Sequence, residues 1–292
     1  ILSNEIIYKD FFSHKGPFFI IYLSIFSKIL GFGQLQAWII FLLTIIFFYS
    51  GILFLCKKFN AEFKLILTII FAISFCLKNL SSNIILDVYL ATLIILSFLF
   101  LYNFIKTNRG IYLFFSYLIL SILIFSRIDM LAYTVGASVY IFYAHRQNIL
   151  RKFSLIIPAT IMPFFFLKIF YKIELSDFIN QTLYFNLSYK SEKFGTFLNH
   201  LVREQHFTIL MTSTILVIFL YVLFEKIKEF ELRKSLADPS FIYLMSGMIL
   251  WILIGSDKPY HVIIILCPIL IFIIFNNKIY FNIDIKIKIV FL

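Results

Sequence analysis

The six residues Asp10 to Lys15 bring a carboxylate, a hydroxyl, an imidazole and an ammonium into one short stretch of the run Tyr8-Lys9-Asp10-Phe11-Phe12-Ser13-His14-Lys15-Gly16-Pro17. Asp10 and His14 are four apart, so on a helix they share a face and can hydrogen-bond. Lys15 stands just ahead of an apolar segment whose Pro17 suits a first helical turn. A lysine beside a helix N-terminus makes a site for a phosphate that arrives in the membrane plane. The plainer roles are a snorkelling anchor for Lys15 and a helix start for the Gly-Pro pair. A second cluster, Gly255-Ser256-Asp257-Lys258-Pro259-Tyr260-His261, offers Lys258 and His261 at the depth expected for Lys15. Its plainer reading is an interfacial belt with a capping histidine. Arg127 with Asp129, and Asp87 at the start of an apolar run, complete the candidates. Charge in such a setting is functional by default, although Arg127 and Asp129 also suffice to compensate one another.

The elements that position these groups follow from composition. Hydrophobic residues make up 62% of the 292 and charged residues 14%, and the mean hydropathy is +0.97. Soluble domains are nearer half apolar and a quarter charged, and no core of this size hides 39 Phe from water. Soluble enzymes, disordered regulators, collagens and disulfide-stapled secreted domains are thereby excluded. The apolar runs are continuous rather than alternating, which rules out an outer-membrane barrel. The fold class is all-α: a polytopic membrane protein with about nine spans, at 37–56, 63–77, 84–105, 111–126, 128–144, 153–170, 207–224, 241–254 and 261–275. Phe18 to Leu30 is too short to cross and reads as a helix in the outer interface, started by Pro17 and ended by Gly31. Cys56, Cys76 and Cys267 lie in or at the ends of apolar runs without metal-ligand spacing and read as packing residues.

Net charge is +11, and 15 of the 26 lysines and arginines fall in the alternate connections 57–64, 106–110, 145–152 and 225–240 and the tail 276–292. The positive-inside rule makes these cytoplasmic and puts 1–36, 78–83, 171–206 and 255–260 outside. Basic residues confined to short loops beside anionic lipid argue against nucleic acid as a partner. The organisation is then an external segment 1–36, a transmembrane domain 37–275 with an external loop 171–206, and a cytoplasmic tail 276–292. That loop mixes polar residues with aromatics able to stack on a sugar, or to anchor at the interface. The sequons at Asn79, Asn180 and Asn186 carry no meaning without a glycosylation system. The abundance of Ile, Phe, Lys and Asn fits an AT-rich bacterial genome.

Taken together, the Tyr8–Pro17 run, the apolar helix after it, Gly31 and a long span resemble the first external loop of bacterial GT-C glycosyltransferases. These multi-spanning enzymes are related to protein O-mannosyltransferases and the aminoarabinose transferases. The family loop commonly reads Tyr-x-Asp-Phe-x-x-His-Lys-x-Pro; Tyr8, Asp10, Phe11, His14, Lys15 and Pro17 match, with Gly16 where many members carry a first Pro. Tyr260, His261 and Pro268 resemble its late Tyr-His and the Pro-containing helix that follows. The resemblance implies transfer of a sugar, with inversion, from a polyprenyl-phosphate-linked donor to a glycan, lipid or protein acceptor. The reaction would face the periplasm or exterior of a bacterial inner membrane. It implies donor-phosphate binding by Lys15, His14, Lys258 and His261, substrate contacts from Tyr8, Tyr260 and Arg127, and Asp10 as a catalytic carboxylate. The family's main base lies some fifteen to twenty residues ahead of Tyr-x-Asp. Only seven residues precede Tyr8, so the chain reads as beginning within a loop, with base and first span upstream. A divalent cation is compatible with such a site, and nothing in the sequence requires one. Two other readings are a transporter or flippase of lipid-linked oligosaccharide and an O-antigen-type polymerase. The first calls for mid-span charge and internal repeats. The second calls for an arginine-rich external loop, and 171–206 holds Arg203 alone.

Overall fold

The computed structural model describes residues 16–31, 33–61, 84–144, 147–180, 238–254 and 262–276. Among the described residues the chain is helical, with no strand. Helix α1 (Pro17–Leu30) leads through Gly31 and Gly33 to α2 (Gln34–Lys58). Helices α3 (Ile84–Thr107) and α4 (Gly110–Ser126) follow, then a 3-10 turn (Ile128–Met130) that runs into α5 (Leu131–Ala144). Beyond these come α6 (Ile149–Tyr171), a single turn α7 (Leu175–Phe178), α8 (Pro239–Ile254) and α9 (Val262–Phe275). The all-α expectation holds, and α2, α3 and α6 are long and apolar enough to cross a membrane. The expected spans 63–77 and 207–224 lie outside the described residues.

Two helix boundaries differ from the hydropathy reading for a clear reason. Helix α2 begins at Gln34 and runs through Lys57 and Lys58, and α6 takes Arg151 and Lys152 into its first turn. Long basic side chains lay their methylenes along the helix while the head reaches the interface, so charge marks the membrane edge rather than the helix end. The start and stop of α1 follow local chemistry. Pro17 occupies the first turn, and Gly31 ends it at φ +85°, a left-handed angle that favours glycine.

Helix α3 is the centre. Leu90, Ala91, Ile94, Ile95, Phe98 and Leu101 are fully buried against α2, α4, α8 and α9. Apolar burial does not by itself drive helices together in lipid, because the tails are as apolar as leucine. Small residues and hydroxyls carry the contacts instead. Gly51 faces Ile95, and a Cβ built on Gly136 would meet Ser246 Oγ at 2.1 Å. Ser97 and Tyr243 share a 3.0 Å hydrogen bond, and Ser116 donates to the Ser97 carbonyl at 3.0 Å, joining α3, α4 and α8. Ser121 donates to the Thr160 carbonyl at 2.6 Å and fastens α4 to α6 between Pro158 and Pro163. By contrast α6 turns Phe153, Ile157, Ile161, Phe165 and Ile169 outward, as α2 does Leu42, Ile46 and Phe54. Apolar faces of this extent belong to a membrane-embedded protein.

A Cβ at Gly247 would come within 2.4 Å of Pro268 Cγ and 3.1 Å of the Tyr133 hydroxyl. The proline ring cannot rotate away. Gly247→Val is expected to destabilise the fold by about 1–3 kcal/mol through overpacking of α5, α8 and α9. At Gly51 a Cβ would meet Ile95 at 3.4 Å, an ordinary contact, so Gly51→Ala should leave stability unchanged or slightly raised. Thermal unfolding in detergent should therefore show a drop in melting temperature for Gly247→Val and none for Gly51→Ala. Equal melting temperatures would mean that this close packing is not what the glycine serves.

Candidate functional site: a buried charge triad at one end of the bundle

Three charges gather where α4 ends. Arg127 follows Ser126 in extended conformation and swings its guanidinium across the mouth between α3 and the 3-10 turn. Its Nη1 donates to Asp87 Oδ1 at 3.3 Å, and its Nε and Nη2 both reach Asp129 Oδ2 at 3.0 Å. The side chains are 17%, 1% and 14% exposed for Arg127, Asp87 and Asp129, so the pairing is desolvated and held by geometry rather than by chance encounter. Each charge also matches the helix end it occupies. Asp87 lies in the first turn of α3 and Asp129 in the turn that leads α5, where anions complement the positive end of the dipole. Arg127 caps the C-terminal end of α4, where a cation is favoured. Two carboxylates against one guanidinium leave the group at net −1. Asp129 Oδ1 is buried and makes no hydrogen bond among the described residues.

The other candidate segments enter and leave at this same end. Gly16 N donates to the Ser126 carbonyl at 3.0 Å, and a Cβ on Gly16 would lie 2.0 Å from the Phe125 carbonyl oxygen. The residue after Lys15 thus touches backbone one position from Arg127, and no larger residue fits so close. The turn α7 folds back toward the same end: Phe178 meets Phe125 at 5.1 Å between ring centroids and clusters with Ile21, Leu167 and Ile173. On the far side, Tyr133 donates to the Ile264 carbonyl at 3.4 Å and Cys267 to the Ala91 carbonyl at 3.4 Å, which sets the start of α9 level with Asp87. Helix α8 runs antiparallel to α5, with Gly247 beside Tyr133, so its last turns rise toward the 3-10 turn that carries Asp129.

Helix α2 extends past the level of the triad. Thr44 of α2 is level with Tyr89, since Tyr22 bonds Thr44 Oγ1 at 2.6 Å and meets the Tyr89 ring at 4.8 Å. From Thr44, α2 continues back to Gln34, about 15 Å further at 1.5 Å per residue. Helix α1 is joined to that protruding half, and its Phe18 and Phe19 pack on Phe125 and Tyr89 beside the triad.

Of the residues singled out in the sequence, Arg127 is placed, while Tyr8, Asp10, His14, Lys15, Lys258, Tyr260 and His261 lie outside the described residues. The pairing of Arg127 with Asp129 is legible from their spacing. The partnership with Asp87, forty positions earlier, is not, because it depends on the antiparallel register of α3 and α4. Among the described residues no group of three His, Cys, Asp or Glu is arranged to hold a metal ion. Compared with known proteins, the chain matches no family model, no curated protein and no solved structure.

Removing the guanidinium leaves two buried carboxylates facing each other. Arg127→Met is therefore expected to cost about 3–5 kcal/mol, the usual penalty for breaking a buried pair from one side. Arg127→Lys should lose less, because it keeps the charge but not the planar fork that reaches both acids. The double variant Arg127→Met/Asp87→Asn should recover part of the loss. Thermal unfolding of the purified variants checks the order, and an Arg127→Met protein as stable as the parent would remove the triad from the structural account.

Proposed function

We propose that this chain is a membrane glycosyltransferase of the GT-C type, which moves a sugar from a polyprenyl-phosphate-linked donor to an acceptor on the extracytoplasmic face of a bacterial inner membrane. The observation that carries the reading is the seat of Gly16 on Ser126, because it ties the end of the Tyr8–Pro17 run to the Arg127 triad. The resemblance of that run to the family's first external loop supplies the chemistry. Support also comes from the meeting of three chain segments at one end of the bundle, and from helices long and apolar enough to cross a membrane.

In this reading the acceptor hydroxyl oxygen attacks the anomeric carbon of the donor sugar. The bond from that carbon to the phosphate oxygen breaks on the opposite side, the phosphate leaves with the electron pair, and the hydroxyl proton passes to a carboxylate base. The stereochemistry at the carbon inverts. The leaving phosphate needs cations. The triad cannot provide them, since its one guanidinium is held by two carboxylates. Lys15, His14, Lys258 and His261 are assigned that role, with Tyr8 and Tyr260 against the sugar and Arg127 as a residue that positions the loops. About nine spans and an interfacial α1 complete the architecture. The transporter reading is the weaker one, because the buried charged side chains among the described residues, Asp87 and Lys152, stand at the bundle ends and not along a central path.

Lys15→Ala is expected to lower transfer by about a hundredfold or more while the protein still elutes as the parent does, since one lost donor at a developing oxyanion costs about 100- to 1,000-fold. Gly16→Ala, which cannot keep the contact with Phe125 and Ser126, should also impair transfer. The readout is release of polyprenyl phosphate from a labelled lipid-linked sugar in reconstituted membranes. Full activity of Lys15→Ala would remove the proposed phosphate site.

A further inference from the structure

At the end of the bundle opposite Arg127, the turn between α3 and α4 and the segment that enters α6 enclose a cavity of about 980 Å³. Its wall is divided by chemistry. Phe104, Ile111 and Leu155 make an apolar side, and Ile111 is 54% exposed on the outer surface of the bundle. Asn108, Arg151 and Lys152 make a polar and basic side, and among the described residues no acidic one lines the cavity. Lys152 is held in place: it is 8% exposed, its Nζ donates to the Gln147 carbonyl at 2.7 Å and lies 5.9 Å above the centre of the Phe104 ring. Arg151, the next residue, is exposed and free of that constraint.

The backbone shapes the rim. Helices α4 and α6 both begin at the rim, and neither has a side-chain cap or an acidic residue in its first turn. Asn108 and Asn148, at φ +52° and +56°, make the left-handed turns that bring the two helix starts together. The ends of α3 and α5 also reach the lining, at Phe104 and Ala144, so the helix dipoles offset one another and the positive charge of this space is that of its two cations. A free phosphate would use the cations but gain nothing from the apolar wall, and it would fill little of the volume. A lipid uses both, with its head on the basic side and its chains along Ile111 and Leu155 toward the bilayer.

We propose that this cavity binds an anionic phospholipid, its phosphate held by Arg151 and Lys152. Basic pockets between membrane helices recognise such head groups by this chemistry. The inference stands apart from the glycosyltransferase reading, which concerns the other end of the bundle.

The test is native mass spectrometry of the full chain in detergent, titrated with phosphatidylglycerol or with phosphatidylcholine of the same acyl chains. Phosphatidylglycerol is expected to bind the more tightly. Arg151→Gln should weaken it by about fivefold, and Arg151→Gln/Lys152→Gln by about thirtyfold, at roughly 1 kcal/mol per basic group. Because Arg151 is exposed, its single variant should keep the parent's melting temperature in lipid-free detergent, which separates loss of the site from loss of the fold. Lys57→Gln, at the same end but outside the cavity, should bind as the parent does. Equal binding of the two lipids would overturn the proposal, as would an Arg151→Gln effect no larger than that of Lys57→Gln. Displacement of phosphatidylglycerol by millimolar inorganic phosphate alone would overturn it too, by making the site one for the free anion.

Discussion

Hydrocarbon offers a hydroxyl, an amide or a carboxylate no hydrogen-bond partner, so each polar group of this chain that leaves the interface must find one on a neighbouring helix or on its own. That demand selects how the helices pack. Ser97, Ser116 and Tyr243 satisfy one another across three helices, Ser121 finds the Thr160 carbonyl, and Tyr117 finds Ser138 Oγ at 3.0 Å. Thr44 and Thr92 bond back to the carbonyl four residues earlier, and the Thr44 hydroxyl also pairs with Tyr22 of α1. The glycines do complementary work. Gly136 and Gly247 remove the Cβ where Ser246, and Pro268 with the Tyr133 hydroxyl, pass close by.

The same demand explains why charge is found at the ends. Asp87 and Lys152 are buried, yet each sits within a turn of a helix start. There the uncompensated backbone groups and the interface lower the cost of the charge. Helix α4 connects the two settings. Its N-terminal end borders the basic cavity, and Arg127 takes up the negative end of its dipole. Lys58 donates to Asn103 at the basic end, and Asp238 accepts from Ser240 N at 2.8 Å while Asn276 donates to Ser240 Oγ at 3.0 Å. These contacts fasten the ends of α2, α8 and α9 where the membrane no longer does so.

Much of this was legible in the sequence, because the membrane imposes a one-dimensional signal. Continuous apolar runs locate α2, α3, α4, α5, α6, α8 and α9 to within a few residues, and Pro17 and Gly31 bracket α1 by their backbone chemistry alone. What hydropathy does not encode is which face of a span is buried. Helix α3 is apolar all round, and its role at the centre follows from contacts with four other helices. The Asp87–Arg127 pair and the basic cavity are likewise products of register. Asn108 precedes α4 while Arg151 and Lys152 lie in the first turn of α6, and only the packing of α4 on α6 makes them one wall. The exclusion of any larger residue at Gly16 belongs to the same class: its φ of −70° suits any residue, and the close backbone of Phe125 is what forbids a side chain.

The electrostatics of the triad bear on where chemistry can occur. A guanidinium that faces two carboxylates and a helix C-terminus is more than neutralised, so it has little left to offer an arriving phosphate. A strained or half-paired charge would invite a ligand; this one is settled by three partners of opposite sign and by two helix starts that welcome the acids. The triad is then best understood as a fixed floor of net charge −1 that fastens α3, α4 and α5 at a constant distance. Any phosphate chemistry over that floor requires cations delivered by the segments that enter there, and a negative floor draws such cations inward.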